Sequence, residues 1–306
     1  MSSLRPQFAE TISRIGNVDP DLFVIVGDIS HGLLTEFRSK FPERYRNIGI
    51  CEPAMISLAA GLNVAGFNPV IHTIAPFLIE RSFEQIKLDF GYQMLDCNLV
   101  SVGSSFDYAK LGCSHHSYID VALVASVEGS RVFLPGSKVE FDILFNAYYK
   151  EPGIKYFRLT ENGHGLEHLT SYMSPGESVI TSAGDDLTIV ALGPSLKTAH
   201  EVTENMKAKG ITCEVVYVNS IKPFDSKLVI KSVKKTKRLV TISELSPVGG
   251  LKSACDADLA GKTLYESIDF SVNEFIRGYG DFEELRERAG IGSNQIQKGI
   301  EGTFNF

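Results

Sequence analysis

The chain has no tryptophan, few cysteines, and no apolar stretch long enough to span a bilayer. The five cysteines, at 51, 97, 113, 213 and 255, form no CxxC pair and no zinc spacing. Their odd number and apolar neighbours, as in Ile50-Cys51 and Ala254-Cys255, point to reduced, buried thiols. The stretch Met1-Ser2-Ser3-Leu4-Arg5-Pro6 lacks the apolar core of a signal peptide, so the expected compartment is the cytoplasm, with no membrane partner. Neither GxGxxG nor GxxxxGK[ST] occurs, which removes the nucleotide folds those motifs carry. A net charge of −7 argues against nucleic acid as the main partner.

What is present reads as a two-domain α/β protein. The 306 residues, 43% hydrophobic and 22% charged, suffice for two sizeable cores. Strand signals at 22–27, 69–73, 98–102 and 154–159 alternate with helical spacing at 53–65, 79–95 and 141–149. The pattern fades between about 161 and 185, where Gly, Ser, Thr, His and Pro gather. It resumes with strands at 186–192, 212–218 and 238–243 and helices at 196–208, 226–235 and after Gly249-Gly250. We therefore expect two doubly wound units, each a mostly parallel sheet flanked by helices: 1–165 and 186–306, with 166–185 as linker.

One carboxylate stands out. Glu52 sits between the apolar run Ile48-Gly49-Ile50-Cys51 and a small-residue helix, with no Lys or Arg within five residues. Such an acid is expected to be costly to ionise, with a raised pKa. The plainer alternative is that Glu52-Pro53 merely opens the helix, where Pro suits the first turn and an acid suits the dipole.

Open α/β sheets place ligands beyond the carboxyl ends of their strands. Three polar strand ends qualify: Gly27-Asp28-Ile29-Ser30-His31, Thr73-Ile74-Ala75-Pro76-Phe77 and Gly103-Ser104-Ser105-Phe106-Asp107. Each alone is ordinary turn chemistry; three in one half-chain with Glu52 describe a shared pocket. His115 and His116 are adjacent and point opposite ways in extended chain, so they suit hydrogen bonding or proton transfer better than a shared metal. No protein metal ligands are expected. Arg158, ending a strand, could grip an anion or simply pair with an acid.

The whole chain resembles the C-terminal half of transketolases, in particular the separate C-terminal subunits of split bacterial ones. The resemblance is carried by Phe41–Glu52 with Met55 and Ala59–Leu62, by Gly66-x-x-Pro69, and by Thr73-x-x-x-Phe77. Gly112-x-Ser114-His115-His116, Ser220–Asp225, Ser243-Glu244 and Val248–Leu251 extend it. It implies that the first domain binds the aminopyrimidine of thiamine diphosphate, with Glu52 holding a proton at a ring nitrogen. It further implies Phe77 stacking on the ring, Asp28 and Ile50 beside the cofactor, and His115 approaching the substrate. Arg5 and Arg158 would hold a substrate phosphate, with Ser30 and Ser105 nearby. The implied activity is transfer of a two-carbon ketol unit between sugars. A 2-oxo-acid dehydrogenase beta subunit, a deoxyxylulose-phosphate synthase-like carboligase and a non-catalytic structural subunit are the alternatives.

Three departures from the family pattern matter. Leu111 stands where transketolases usually carry Asp before the glycine, a second substrate histidine has no counterpart near Gly103, and Pro53 follows the glutamate. The cofactor-activating part is retained while the sugar-reading part is altered. The Gly-Asp-Gly…Asn element that grips diphosphate and Mg²⁺ is missing. The resemblance therefore implies an N-terminal transketolase-like partner subunit carrying that element, in an α₂β₂ assembly.

Overall fold

The computed structural model describes residues 3–306. Among the described residues twelve strands alternate with helices. They are β1 (Leu22–Val26), β2 (Tyr45–Asn47), β3 (Asn68–Ile74), β4 (Cys97–Val102), β5 (Arg131–Phe133), β6 (Ile154–Arg158), β7 (Val179–Ser182), β8 (Leu187–Leu192), β9 (Cys213–Val218), β10 (Ser220–Lys222), β11 (Arg238–Ile242) and β12 (Glu266–Phe270).

They form two sheets, in orders β10-β5-β6-β4-β3-β1-β2 and β12-β11-β8-β9-β7. Pairing is parallel throughout except at β10 against β5 and β7 against β9. The first unit's central strands are buried along their whole length, as in β1 and β4, because helices cover both faces. On one face Phe8, Phe37, Phe141, Phe145 and Phe157 pack together. On the other, Met55, Ile56, Ile79, Phe90 and Leu99 do so.

Two features depart from the sequence expectation. The stretch 166–185 carries a short helix, Glu167–Thr170, and β7, which borders the second sheet. It is too polar to advertise a strand, because an edge strand half-exposed on both faces shows no alternation. In addition, β10 comes from the second unit yet hydrogen-bonds to the first unit's sheet, Ser220 opposite Phe133. A buried network reinforces this join. His164 Nε2 lies 2.7 Å from Glu140 Oε1, and the Tyr217 hydroxyl donates to Glu140 Oε2 at 2.6 Å.

The helix expected over 79–95 forms over 76–92 and is interrupted near Arg81-Ser82. Its flanks, Pro76–Glu80 and Ile86–Tyr92, wind as wide π-helical turns, a feature that gathers at functional sites. All five cysteines are free thiols, but only Cys97, Cys213 and Cys255 are buried. Cys51 and Cys113 are exposed; Ile50, the apolar neighbour that implied burial of Cys51, itself faces outward.

Candidate active site

The carboxyl ends of β1, β2, β3, β4 and β6 define one edge of the first sheet. Gly27, just past β1, lets the Glu52–Val64 helix approach closely: a Cβ there would stand 2.9 Å from Met55 Sδ. That helix begins at Glu52 with Pro53 in its first turn and no side-chain cap. Glu52 does open a helix, but its carboxylate turns inward and is 1% exposed.

The expectation of an acid remote from cations is corrected. Arg81 Nη1 donates to Glu52 Oε2 at 2.7 Å. A wide turn, in which the Arg81 amide bonds the Pro76 carbonyl at 3.1 Å, carries the guanidinium back over the Phe77 ring, 4.3 Å from its centroid. His115 meets the edge of Phe77 at 5.0 Å between centroids. Its imidazole is held below the usual range by burial first and the Arg81 charge second, so it stands neutral at pH 7. Glu52, Arg81, Phe77 and His115 form one continuous wall, and exposed Ile50 flanks it in sequence.

Asp28 and Ser30 both adopt left-handed backbone, φ 55° and 59°. Asp28 is exposed and bonded by His31 Nε2 at 2.8 Å, while its amide donates to Asn47 Oδ1 at 3.0 Å. The His31 contact, then Asn47, holds its carboxyl below the usual range. Arg5 and Ser30 come together: Arg5 Nη2 donates to Ser30 Oγ at 3.0 Å. Behind them Ser30 Oγ lies 2.8 Å from His72 Nε2, and His72 Nδ1 lies 2.8 Å from the Val100 carbonyl. With Val100 as acceptor, Nδ1 carries the proton and Nε2 accepts from Ser30. Burial pushes this imidazole down to about 4.

Two expected substrate residues serve the framework instead. Arg158 is buried, with Nε on Asp120 Oδ2 at 2.8 Å and Nη2 on Ser105 Oγ at 3.1 Å and the Ser117 carbonyl at 2.6 Å. Ser105 is wholly buried, and its hydroxyl donates to the Glu244 carbonyl of the second unit at 3.0 Å. Arg158 commits Nε and Nη2, and Ser105 its hydroxyl, to protein acceptors inside the seam between the units. Arg81, His72, Asn47, Tyr108 and Glu161 were not anticipated. For Arg81 a signal existed, since it lies four residues after Phe77 on a helical stretch.

Whether the site suits thiamine diphosphate can be read from Arg81. Between Glu52 and Phe77 it places a planar group that offers N–H to the carboxylate and stands over the ring. An aminopyrimidine meets both demands, with a flat face and a protonatable nitrogen, so the residues present fit it. Among the described residues no group of three or more His, Cys, Asp or Glu is placed to hold a metal ion.

A buried acid joined through Arg81 to an aromatic face, at the carboxyl edge of a mostly parallel sheet followed by a second α/β unit, defines a two-unit α/β protein with its candidate site at that edge. Residues 2–164 match the transketolase pyrimidine-binding domain and residues 176–296 the transketolase C-terminal domain; the chain belongs to the transketolase family. It is 29% identical over 296 residues to 1-deoxy-D-xylulose-5-phosphate synthase of Syntrophomonas wolfei, covering 94% of this chain and 45% of that protein. It thus spans about half that relative's length. It is 30% identical over 235 residues to an apulose-4-phosphate transketolase subunit of Actinobacillus succinogenes, covering 76% of each. A solved structure described as a split gene transketolase, inactive beta4 tetramer, superposes with a TM-score of 0.89 at 28% identity, over 100% of this chain and 99% of that one. No helix among the described residues is long and apolar enough to cross a membrane.

Proposed function

We propose that this chain is the pyrimidine-side subunit of a thiamine diphosphate-dependent, transketolase-like enzyme that transfers a two-carbon ketol unit between sugar or sugar-like substrates. The observation that carries this reading is the buried Glu52 carboxylate, bridged by Arg81 to the Phe77 ring, in a chain related almost end to end to half of a transketolase. Bound there, thiamine diphosphate supplies an electron sink for breaking the bond next to a ketose carbonyl. Glu52 holds a proton at a ring nitrogen, in a setting where water cannot compete for it. Phe77 fixes the plane of the ring and Ile50 shields its side. Neutral His115, against the same aromatic edge, donates to or accepts from the reacting oxygen. Asp28, pinned by His31 and Asn47, lines the cofactor end, and Arg5 with Ser30 lines the substrate end.

The diphosphate and Mg²⁺ fall to a partner chain bearing a Gly-Asp-Gly…Asn element, in an α₂β₂ assembly in the cytoplasm. Calorimetric titration of thiamine diphosphate into the chain alone, and into the chain mixed with such a partner, is the test. Binding should need both chains. Tight binding by this chain alone would overturn the split site. Carbon dioxide release from a keto-acid donor would favour the synthase-like alternative instead.

A further inference from the structure

Resting on that reading, we infer that the substrate end facing Arg5 is an uncharged, hydroxyl-bearing group rather than a phosphate, and that Glu161 and Tyr108 are the residues that select it. Arg5 and Arg158 are the arginines a phosphate would need, and each is already matched by a carboxylate of this chain. Arg158 is spent on Asp120 inside the seam. Arg5 Nη1 is paired with Glu161 Oε1 at 3.2 Å and its Nη2 is bonded to Ser30, so both terminal nitrogens have protein partners. Arg5 and Glu161 are paired side by side and each is about a quarter exposed, 24% and 26%, so solvent reaches both. A dianion entering there would meet the Glu161 carboxylate beside the guanidinium, and like charges at close range are strongly disfavoured.

A second acid adds to this balance. Asp107 accepts from the Glu161 amide, from Asn162 Nδ2 and from Thr160 Oγ1 at 2.8 to 3.1 Å. Burial outweighs these bonds and pushes its carboxyl up to about 7. The Arg5 guanidinium is thus matched by the Glu161 carboxylate, with Asp107 bonded to the Glu161 amide beside it, which leaves no positive excess for a phosphate.

Tyr108 supplies the opposite kind of recognition. Gly103, just past β4, has left-handed backbone, φ 75°, and a Cβ there would lie 2.2 Å from Tyr108 Cε2. The phenol ring therefore rests on the bare glycine backbone. It stands nearly perpendicular to His115, centroids 6.4 Å apart, and the charges of Arg5, Glu161 and Asp107 reach its hydroxyl. Tyr108 thus adjoins His115 and lies within the influence of the Arg5 and Glu161 charges. A phenol donor, a carboxylate acceptor and the Ser30 hydroxyl together match hydroxyl groups, and sites built this way discriminate sharply against partners that cannot satisfy them.

The test uses the assembled two-chain enzyme and matched probes: D-xylulose with D-xylulose 5-phosphate, and D-fructose with D-fructose 6-phosphate. We expect the wild type to favour the unphosphorylated member of each pair by at least about tenfold in kcat/KM. Glu161→Arg should raise kcat/KM for the phosphorylated member by at least about tenfold, through KM. Glu161→Gln, which keeps the side-chain shape, should erode the preference without inverting it. Tyr108→Phe should lower kcat/KM for the unphosphorylated member by about tenfold while thiamine diphosphate affinity and melting temperature hold. Wild-type preference for the phosphorylated sugars, or a ratio unmoved by Glu161→Arg, overturns the inference and leaves the proposed function standing. Failure to bind thiamine diphosphate, or binding without turnover of any of the four sugars, sinks the proposed function as well.

Discussion

Arg81 bonds the carboxylate of Glu52 at 2.7 Å while standing over the ring of Phe77. Both partners are the groups proposed to hold the aminopyrimidine, so guanidinium and cofactor compete for one slot. Arg81 is 42% exposed and sits on a long arm, which makes displacement inexpensive. Arg81→Ala should therefore tighten thiamine diphosphate binding by the assembled enzyme about tenfold, the equivalent of roughly 1.4 kcal/mol of lost competition. Calorimetry reads this directly, and weaker binding by the variant would show that Arg81 supports the slot instead of contesting it.

Glu52→Gln keeps the shape and a hydrogen bond but cannot exchange a proton as a carboxyl group does. In the assembled enzyme kcat should fall by about 10²- to 10³-fold, with thiamine diphosphate affinity changed far less. Steady-state kinetics beside calorimetry separate the two. A fully active variant would mark this chain as a scaffold.

The relay from Arg5 through Ser30 to His72 works only with a neutral imidazole, because Nε2 must accept from the serine. Burial holds His72 at about 4 in the fold, against an ordinary 6.5. A base with a depressed folded pKa contributes stability above its unfolded value and loses it as pH falls through the folded one. The loss should run from about pH 6.5 to pH 4 and reach about 3 kcal/mol. Urea unfolding across that window should show the decline in the wild type and a flatter profile in His72→Gln.

Arg158 and Asp120 form a buried pair, 2% and 0% exposed. Removing one partner strands the other charge, so Arg158→Met or Asp120→Asn should cost about 3–5 kcal/mol. Denaturant titration checks the loss. If Arg158 is a framework residue, KM for phosphorylated substrates will not respond in whatever folded enzyme remains. A selective rise in KM with stability intact would restore it as an anion contact.

Much of the frame was legible because buried parallel strands leave continuous apolar runs. Leu22–Val26 and Leu187–Leu192 are plain in the sequence for that reason. Glu52, Phe77 and His115 were legible as residues of special type at strand or helix ends, and the fold brings them into one wall. What stayed hidden depends on long-range pairing. Nothing near Glu52 announces Arg81, which returns 29 residues later through a wide turn. Arg158 looks the same in sequence whether it faces a ligand or Asp120, since burial is decided by the second unit lying across it. Glu161 lay within a stretch read as featureless, although its pairing with Arg5 governs the charge of the opening. The edge strands β7 and β10 were missed because β7 is half-exposed along its length and β10, at three residues, is too short to show a period.

The crossing of Ser220–Lys222 into the first sheet bears on how the molecule comes apart. That strand covers the open side of β5, and Lys222 Nζ caps the carbonyls of Ala125 and Val127 at 2.8 Å. A polypeptide stopped near residue 185 would bare this seam and invite other chains to fill it. The halves share one fate on heating, and a scanning calorimeter should record a single melt, not two.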